Sequence, residues 1–120
     1  MTSKRDLKRW LQHLEHGWKV AFGQKMIEEL SQILDKYDAW ETYTVITVKE
    51  KLGWLSWQAT GFPAEMKEEY IAWVKCYQTL SEHTCVECGK RGKMRSEGIT
   101  WVSPYCDEHY EELLFGPLHE

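Results

Sequence analysis

The stretch Cys85-Val86-Glu87-Cys88, followed after seventeen residues by Cys106-Asp107-Glu108-His109, decides how this chain is read. Ligand pairs of C-x2-C and C-x2-H form at that interval supply three thiolates and an imidazole, the full first shell of a tetrahedral zinc ion. Two residues between ligands let a tight turn aim both side chains at one ion, and Gly89 offers the positive φ such a turn uses. Between the pairs, residues 90–95 and 99–105 flank Ser96-Glu97-Gly98 and read as a β-hairpin. Residues 106–115 read as a short helix that opens on its own ligands. Carboxylates in its first turn suit the helix dipole, which also favours a thiolate at Cys106. Gly116-Pro117 is its expected stop.

A knuckle, a hairpin and a helix bearing the second ligand pair resemble the treble-clef zinc finger over the last third of the chain. A closed Cys3His shell leaves no open coordination position, so Cys85, Cys88, Cys106 and His109 are expected to hold structural Zn2+. Such an ion contributes on the order of 10 kcal/mol of apparent folding energy, enough to decide whether a finger with few apolar residues folds.

Upstream of the finger, the apolar spacing lays out a body of helices and one hairpin. Leu7, Trp10, Leu11 and Leu14 share one face of a helix over residues 4–16, with Ser3 and Asp6 as its cap and Gly17 as its stop. Met26, Ile27, Leu30, Ile33, Leu34 and Tyr37 make the core stripe of a helix over 24–38, with Trp18 and Phe22 packing ahead of it. Residues 42–59 read as a hairpin broken at Lys49-Glu50-Lys51-Leu52-Gly53, in which Tyr43 and Val45 share one face and Ile46 and Val48 the other. Met66, Tyr70, Trp73, Val74, Tyr77 and Leu80 repeat at helical spacing over 64–80, opened by Glu65, Glu68 and Glu69. Cys76 on that helix reads as a buried free cysteine. The link Ser81-Glu82-His83-Thr84 is too short for an independent tail. One α+β domain over 1–120 is therefore expected: a helical body with a hairpin over 1–80, and a zinc finger over 81–116 packed on it.

The run Val48-Lys49-Glu50-Lys51-Leu52-Gly53-Trp54-Leu55-Ser56-Trp57, with Thr84-Cys85-Val86-Glu87-Cys88-Gly89 and Cys106-Asp107-Glu108-His109 after it, resembles a family of small bacterial and phage proteins. Those carry a V-K-E-K-F-G-G-L-R-F-Y type segment, then T-C-x-x-C-G and C-D-x-H. Leu52 stands here for the usual phenylalanine, Trp54 for the second glycine, Ser56 for the arginine and Trp57 for the next phenylalanine. The likeness spans residues 40–110 and implies a zinc-bearing protein of phage or mobile-element origin.

Composition narrows the function. A formal charge of −4, with six Lys/Arg against eleven Asp/Glu in residues 61–120, is not the basic surface of a dedicated nucleic-acid binder. The charged start carries no leader, no stretch is long enough to span a membrane, and four cysteines without secretion favour metal over disulfides, so a cytoplasmic protein is expected. No nucleophile–base pair, phosphate loop or paired carboxylates stand out, and no enzyme is expected. His83 is the spare histidine nearest the finger; His13 and His16 sit on or near the first helix. An acidic protein with seven tryptophans and a metal staple fits a protein-binding adaptor or inhibitor acting on a host protein, with Trp54 and Trp57 as interface candidates. A nucleic-acid-binding finger is the alternative, through Lys90, Arg91, Lys93 and Arg95. A treble-clef metal-dependent nuclease is the second, although it would need a further histidine near the hairpin and more ligands on the helix. Asp107 and Glu108 beside the ligands are the candidates for a general acid or base in any enzyme.

Overall fold

The computed structural model describes residues 2–116 and shows an α+β protein with two small antiparallel hairpins. It measures 54 × 23 × 20 Å with a radius of gyration of 16.1 Å. A compact chain of this length would be near 14 Å, so the molecule is elongated. Pro117, the expected end of the last helix, lies outside the described residues.

Helix α1, Lys4–Arg9, is closed by a full capping box between Ser3 and Asp6 and tightens into a 3-10 turn over Trp10–His13. The expected helix to residue 16 therefore ends early, and Gly17 is not its stop. A new rod begins there instead. His16–Trp18 (α2) runs through a π turn at Lys19–Gly23 into α3, Gln24–Lys36, without leaving helical φ/ψ at the junctions. A π turn accommodates an extra residue, so Trp18 and Phe22 face the same core as Met26, Ile27, Leu30 and Leu34.

Strands β1 (Thr44–Lys51) and β2 (Trp54–Thr60) pair antiparallel with a register shift between Val45 and Thr47. The shift overturns the expected alternation. Ile46 bulges out at 59% exposure, while Val45 and Val48, three apart, both turn inward. The two-residue turn has both central residues at positive φ, Leu52 at +52° and Gly53 at +94°, as a type I′ turn requires.

A 3-10 turn at Ala64–Met66 leads into α4, Lys67–Glu82, whose Tyr70, Trp73 and Tyr77 form an aromatic row against the rod and the hairpin. Trp73 meets Trp57 edge-on at 5.3 Å and donates to the Met26 carbonyl at 3.1 Å. Two residues on α4 differ from expectation. Leu80 is 42% exposed, and Cys76 is exposed rather than buried, because the buried stripe of the helix runs through Tyr70, Trp73, Tyr77 and Ser81 and leaves both beside it.

The finger follows at once. Its strands are shorter than expected: β3 is Lys93–Arg95 and β4 Ser103–Tyr105, with a loop over 96–102 between them. Helix α5, Asp107–Phe115, takes Cys106 as its N-cap.

Candidate metal centre

The ligand atoms of Cys85, Cys88, Cys106 and His109 lie within 4.8 Å of one another. Each is placed by a different piece of local structure. Cys85 follows α4 and is held by its N–H to the Lys90 carbonyl at 2.8 Å; the turn closes with Gly89 N–H donating to the Cys85 carbonyl at 3.0 Å. Gly89 sits at φ +82°, the conformation anticipated for it. Cys106 and His109 are fixed by the start of α5, one at the N-cap and one on the first turn.

The spacing suits a tetrahedral ion. Thiolate–metal bonds of about 2.3 Å in that geometry separate neighbouring ligand atoms by about 3.7 Å. Cys88 Sγ and Cys106 Sγ are 3.8 Å apart, and Cys85 Sγ lies 3.7 Å from His109 Nδ1. Cys106 Sγ and His109 Nδ1 are closer, at 3.2 Å. The imidazole thus turns Nδ1 to the cluster, which the motif alone does not specify.

Electrostatics fit a cluster that wants a cation. Burial pushes the Cys88 thiol up to about 11, aided by Cys85 and Cys106 alongside. At Cys85 burial acts in the same sense but is outweighed by the backbone N–H groups of Cys106, Cys88 and Glu87, which hold its thiol below the usual value. Three thiolates this close repel unless a metal sits between them, so the donor set fits a metal ion.

The knuckle is clamped to the body by contacts that no motif announces. Gly17 N–H donates to the Val86 carbonyl at 2.7 Å, and the buried Trp18 indole donates to the Thr84 carbonyl at 3.0 Å. A Cβ on Gly17 would sit 1.9 Å from the Cys85 oxygen, so only glycine lets helix and knuckle approach. The signal in the sequence is a glycine beside a tryptophan, Gly17-Trp18, where a helix starts. The second tie is Glu50, which accepts from the Trp101 indole at 2.9 Å and from Gly53 N–H, joining the two hairpins.

The remaining candidates separate. Trp57 is 6% exposed and its indole donates to Tyr43 Oη at 2.9 Å, so it belongs to the core and offers no surface. Trp54 is half-buried with the Lys51 ammonium 5.7 Å above its ring. Arg91, Lys93 and Arg95 line a groove of about 340 Å³ with His83, Gly92 and Asp107; Lys90 is outside it. Arg95 is committed there: it bonds Asp107 at 2.6 Å and the Tyr105 carbonyl at 3.2 Å, and it lies 4.5 Å from the Tyr110 ring centre. That guanidinium holds Asp107 below the usual carboxylate range. Glu108, His13 and His16 are exposed.

Fold and site define the class: a small α+β protein with a Cys3His cluster positioned to bind a metal ion. Comparison with protein-family models, with curated proteins and with solved structures finds no match. No helix among the described residues is long and apolar enough to cross a membrane.

Proposed function

We propose that this is a zinc-stabilised binding protein that recognises a protein partner, an adaptor or inhibitor acting on a host protein. Three thiolates and an imidazole in tetrahedral array favour zinc among the common divalent ions, and a filled shell favours a structural ion. The order of knuckle, hairpin and helix supports a treble-clef-like finger. Asp107 is tied to Arg95 and depressed, which suits an ion-pair anchor better than a general acid or base.

The observation that carries the reading is Leu52. It is an apolar residue in the left-handed region, φ +52°, and 59% exposed. A leucine there costs on the order of 1–2 kcal/mol, which glycine would remove and asparagine would lower in part. The exposed side chain recovers little of that by packing, so a partner's apolar pocket is the better account. Its neighbours agree. Across Gly53 lies Met94, 38% exposed, and the Glu50 tie brings Trp101, 55% exposed, to the same seam. A large aromatic beside aliphatic side chains where two hairpins meet is the usual make-up of an interface hot spot. The likeness of residues 48–57 and of both ligand pairs to the bacterial and phage family supports a mobile-element origin and an intracellular, cytoplasmic host target.

The test is capture from a nuclease-treated host lysate with wild type, Leu52→Asn and Trp101→Ala. The reading expects one protein retained by wild type and lost with both variants, each folded and metal-loaded. Capture that persists in both variants, or that vanishes on nuclease treatment, would overturn it.

A further inference from the structure

We propose that the groove between the end of α4 and β3 binds the phosphodiester backbone of a nucleic acid, at a site separate from the apolar seam. Strand alternation makes the separation. Met94 points to Gly53 and the body, so Lys93 and Arg95 project from the opposite face of β3. Arg91, two residues before Lys93 and bridged to Thr84, continues that face, and all three cations line the groove.

The groove is built rather than incidental. The Arg95 side chain is only 10% exposed and is locked by Asp107, the Tyr105 carbonyl and the Tyr110 ring, so its guanidinium is placed in advance. Asp107 is the one carboxylate in the lining, and Arg95 already offsets it. Arg91 and Lys93 are exposed and make no ion pair among the described residues. The net −4 of the chain is no barrier, since charges beyond about 10 Å are largely screened at 0.1 M salt.

Donor layout selects the ligand. A site for a single phosphoryl group converges its donors on one point. Here the cations step along a strand, about 6.6 Å between alternate residues, which follows a linear polyanion. No Trp, Tyr or Phe is in the lining, and the His83 imidazole is its one ring, so the contacts are mainly to phosphates, with little reading of bases. Arg91 and Lys93 supply the variable contacts and Arg95 the fixed one.

The experiment is fluorescence anisotropy of the full, metal-loaded chain with labelled single-stranded DNA, single-stranded RNA and duplex DNA, each of about 20 units. Two to three phosphate contacts at a slope near −0.7 each predict roughly seven- to twenty-fold weaker single-strand binding between about 50 and 200 mM salt. Arg91→Gln with Lys93→Gln is expected to weaken binding at low salt at least tenfold. Lys90→Gln, outside the groove, and the charge-matched pair Arg5→Gln with Lys8→Gln on α1 are expected to leave it unchanged. The strongest of the three ligands identifies the preferred backbone. Absence of binding to all three, salt-independent binding, equal loss in the charge-matched pair, or binding confined to a phosphopeptide would each overturn the proposal. None of these results bears on capture through Leu52 and Trp101.

Discussion

Replacing Gly17 with alanine separates two physical accounts of the same residue. Seen only as a helical glycine, Gly17 should be improved by alanine by up to about 1 kcal/mol, since glycine gives up more backbone entropy on ordering. The tertiary structure predicts the opposite. The new Cβ would lie 1.9 Å from the Cys85 oxygen, 2.6 Å from Gly89 N and 2.8 Å from the Val86 carbonyl carbon. All three are backbone atoms of the metal knuckle, so no rotamer change relieves the clash. Knuckle and helix must part by about 1.5 Å to restore ordinary contact, which strains or breaks the bond from Gly17 N–H to Val86 and that from Trp18 to Thr84. Two hydrogen bonds at about 1 kcal/mol each, plus overpacking of about 1–3 kcal/mol, outweigh the helix gain. The net loss is about 2–4 kcal/mol, or roughly 10 °C in Tm for a domain of this size. Thermal and urea unfolding with saturating metal measures it. Gly23→Ala is the control on the same rod, because its nearest neighbours are the side-chain atoms Leu11 Cδ2 at 3.2 Å and Lys19 Cγ at 3.7 Å. It should be near neutral or mildly stabilising. If Gly17→Ala matches wild type or exceeds it, the helix–knuckle clamp is not as described.

Further expectations concern the metal, the core and the turn. Metal uptake should release protons and weaken as pH falls, because Cys88, pushed up to about 11, is protonated at neutral pH and must lose its proton to ligate. Each such thiol contributes about tenfold in apparent affinity per pH unit, which competition with a chelator across neutral pH would read. Iodoacetamide should label the exposed Cys76 alone in metal-loaded protein and all four cysteines after chelation, as intact-mass analysis would show. Tyr43→Phe removes the acceptor of the buried Trp57 indole and the partner of Tyr70 Oη, so it should cost about 1–3 kcal/mol in urea unfolding. Leu52→Asn should instead stabilise by about 0.5–1 kcal/mol by fitting the type I′ turn, and unchanged or lower stability would remove the argument from strain.

The ligand set was legible because metal chemistry is written in short range: C-x2-C and C-x2-H each fold into one local turn. The capping box at Ser3 and the stripe of α3 were legible for the same reason, being i to i+3 and i to i+4 relations. What misled were features whose cause lies far away in the chain. Gly17 looked like a helix stop because glycine usually is one, yet it is kept open for the backbone of residues 85–89. The faces of β1 followed a strict alternation until the bulge at Ile46, which depends on the partner strand. Cys76 was expected inside because thiols usually are, but the buried stripe of α4 passes on its other side.

By itself, then, the sequence determined the α+β class, the helices with a local apolar period and the four residues that can share a metal. Tertiary structure alone decided that the knuckle is pinned to α2, that Trp57 is core while Trp101 is surface, and that Arg91, Lys93 and Arg95 share a groove that Lys90 does not. The physical reason is range. Ligand spacing and helix period act within a few residues, whereas a close backbone approach, a bulge or a shared groove exists only once distant segments have packed.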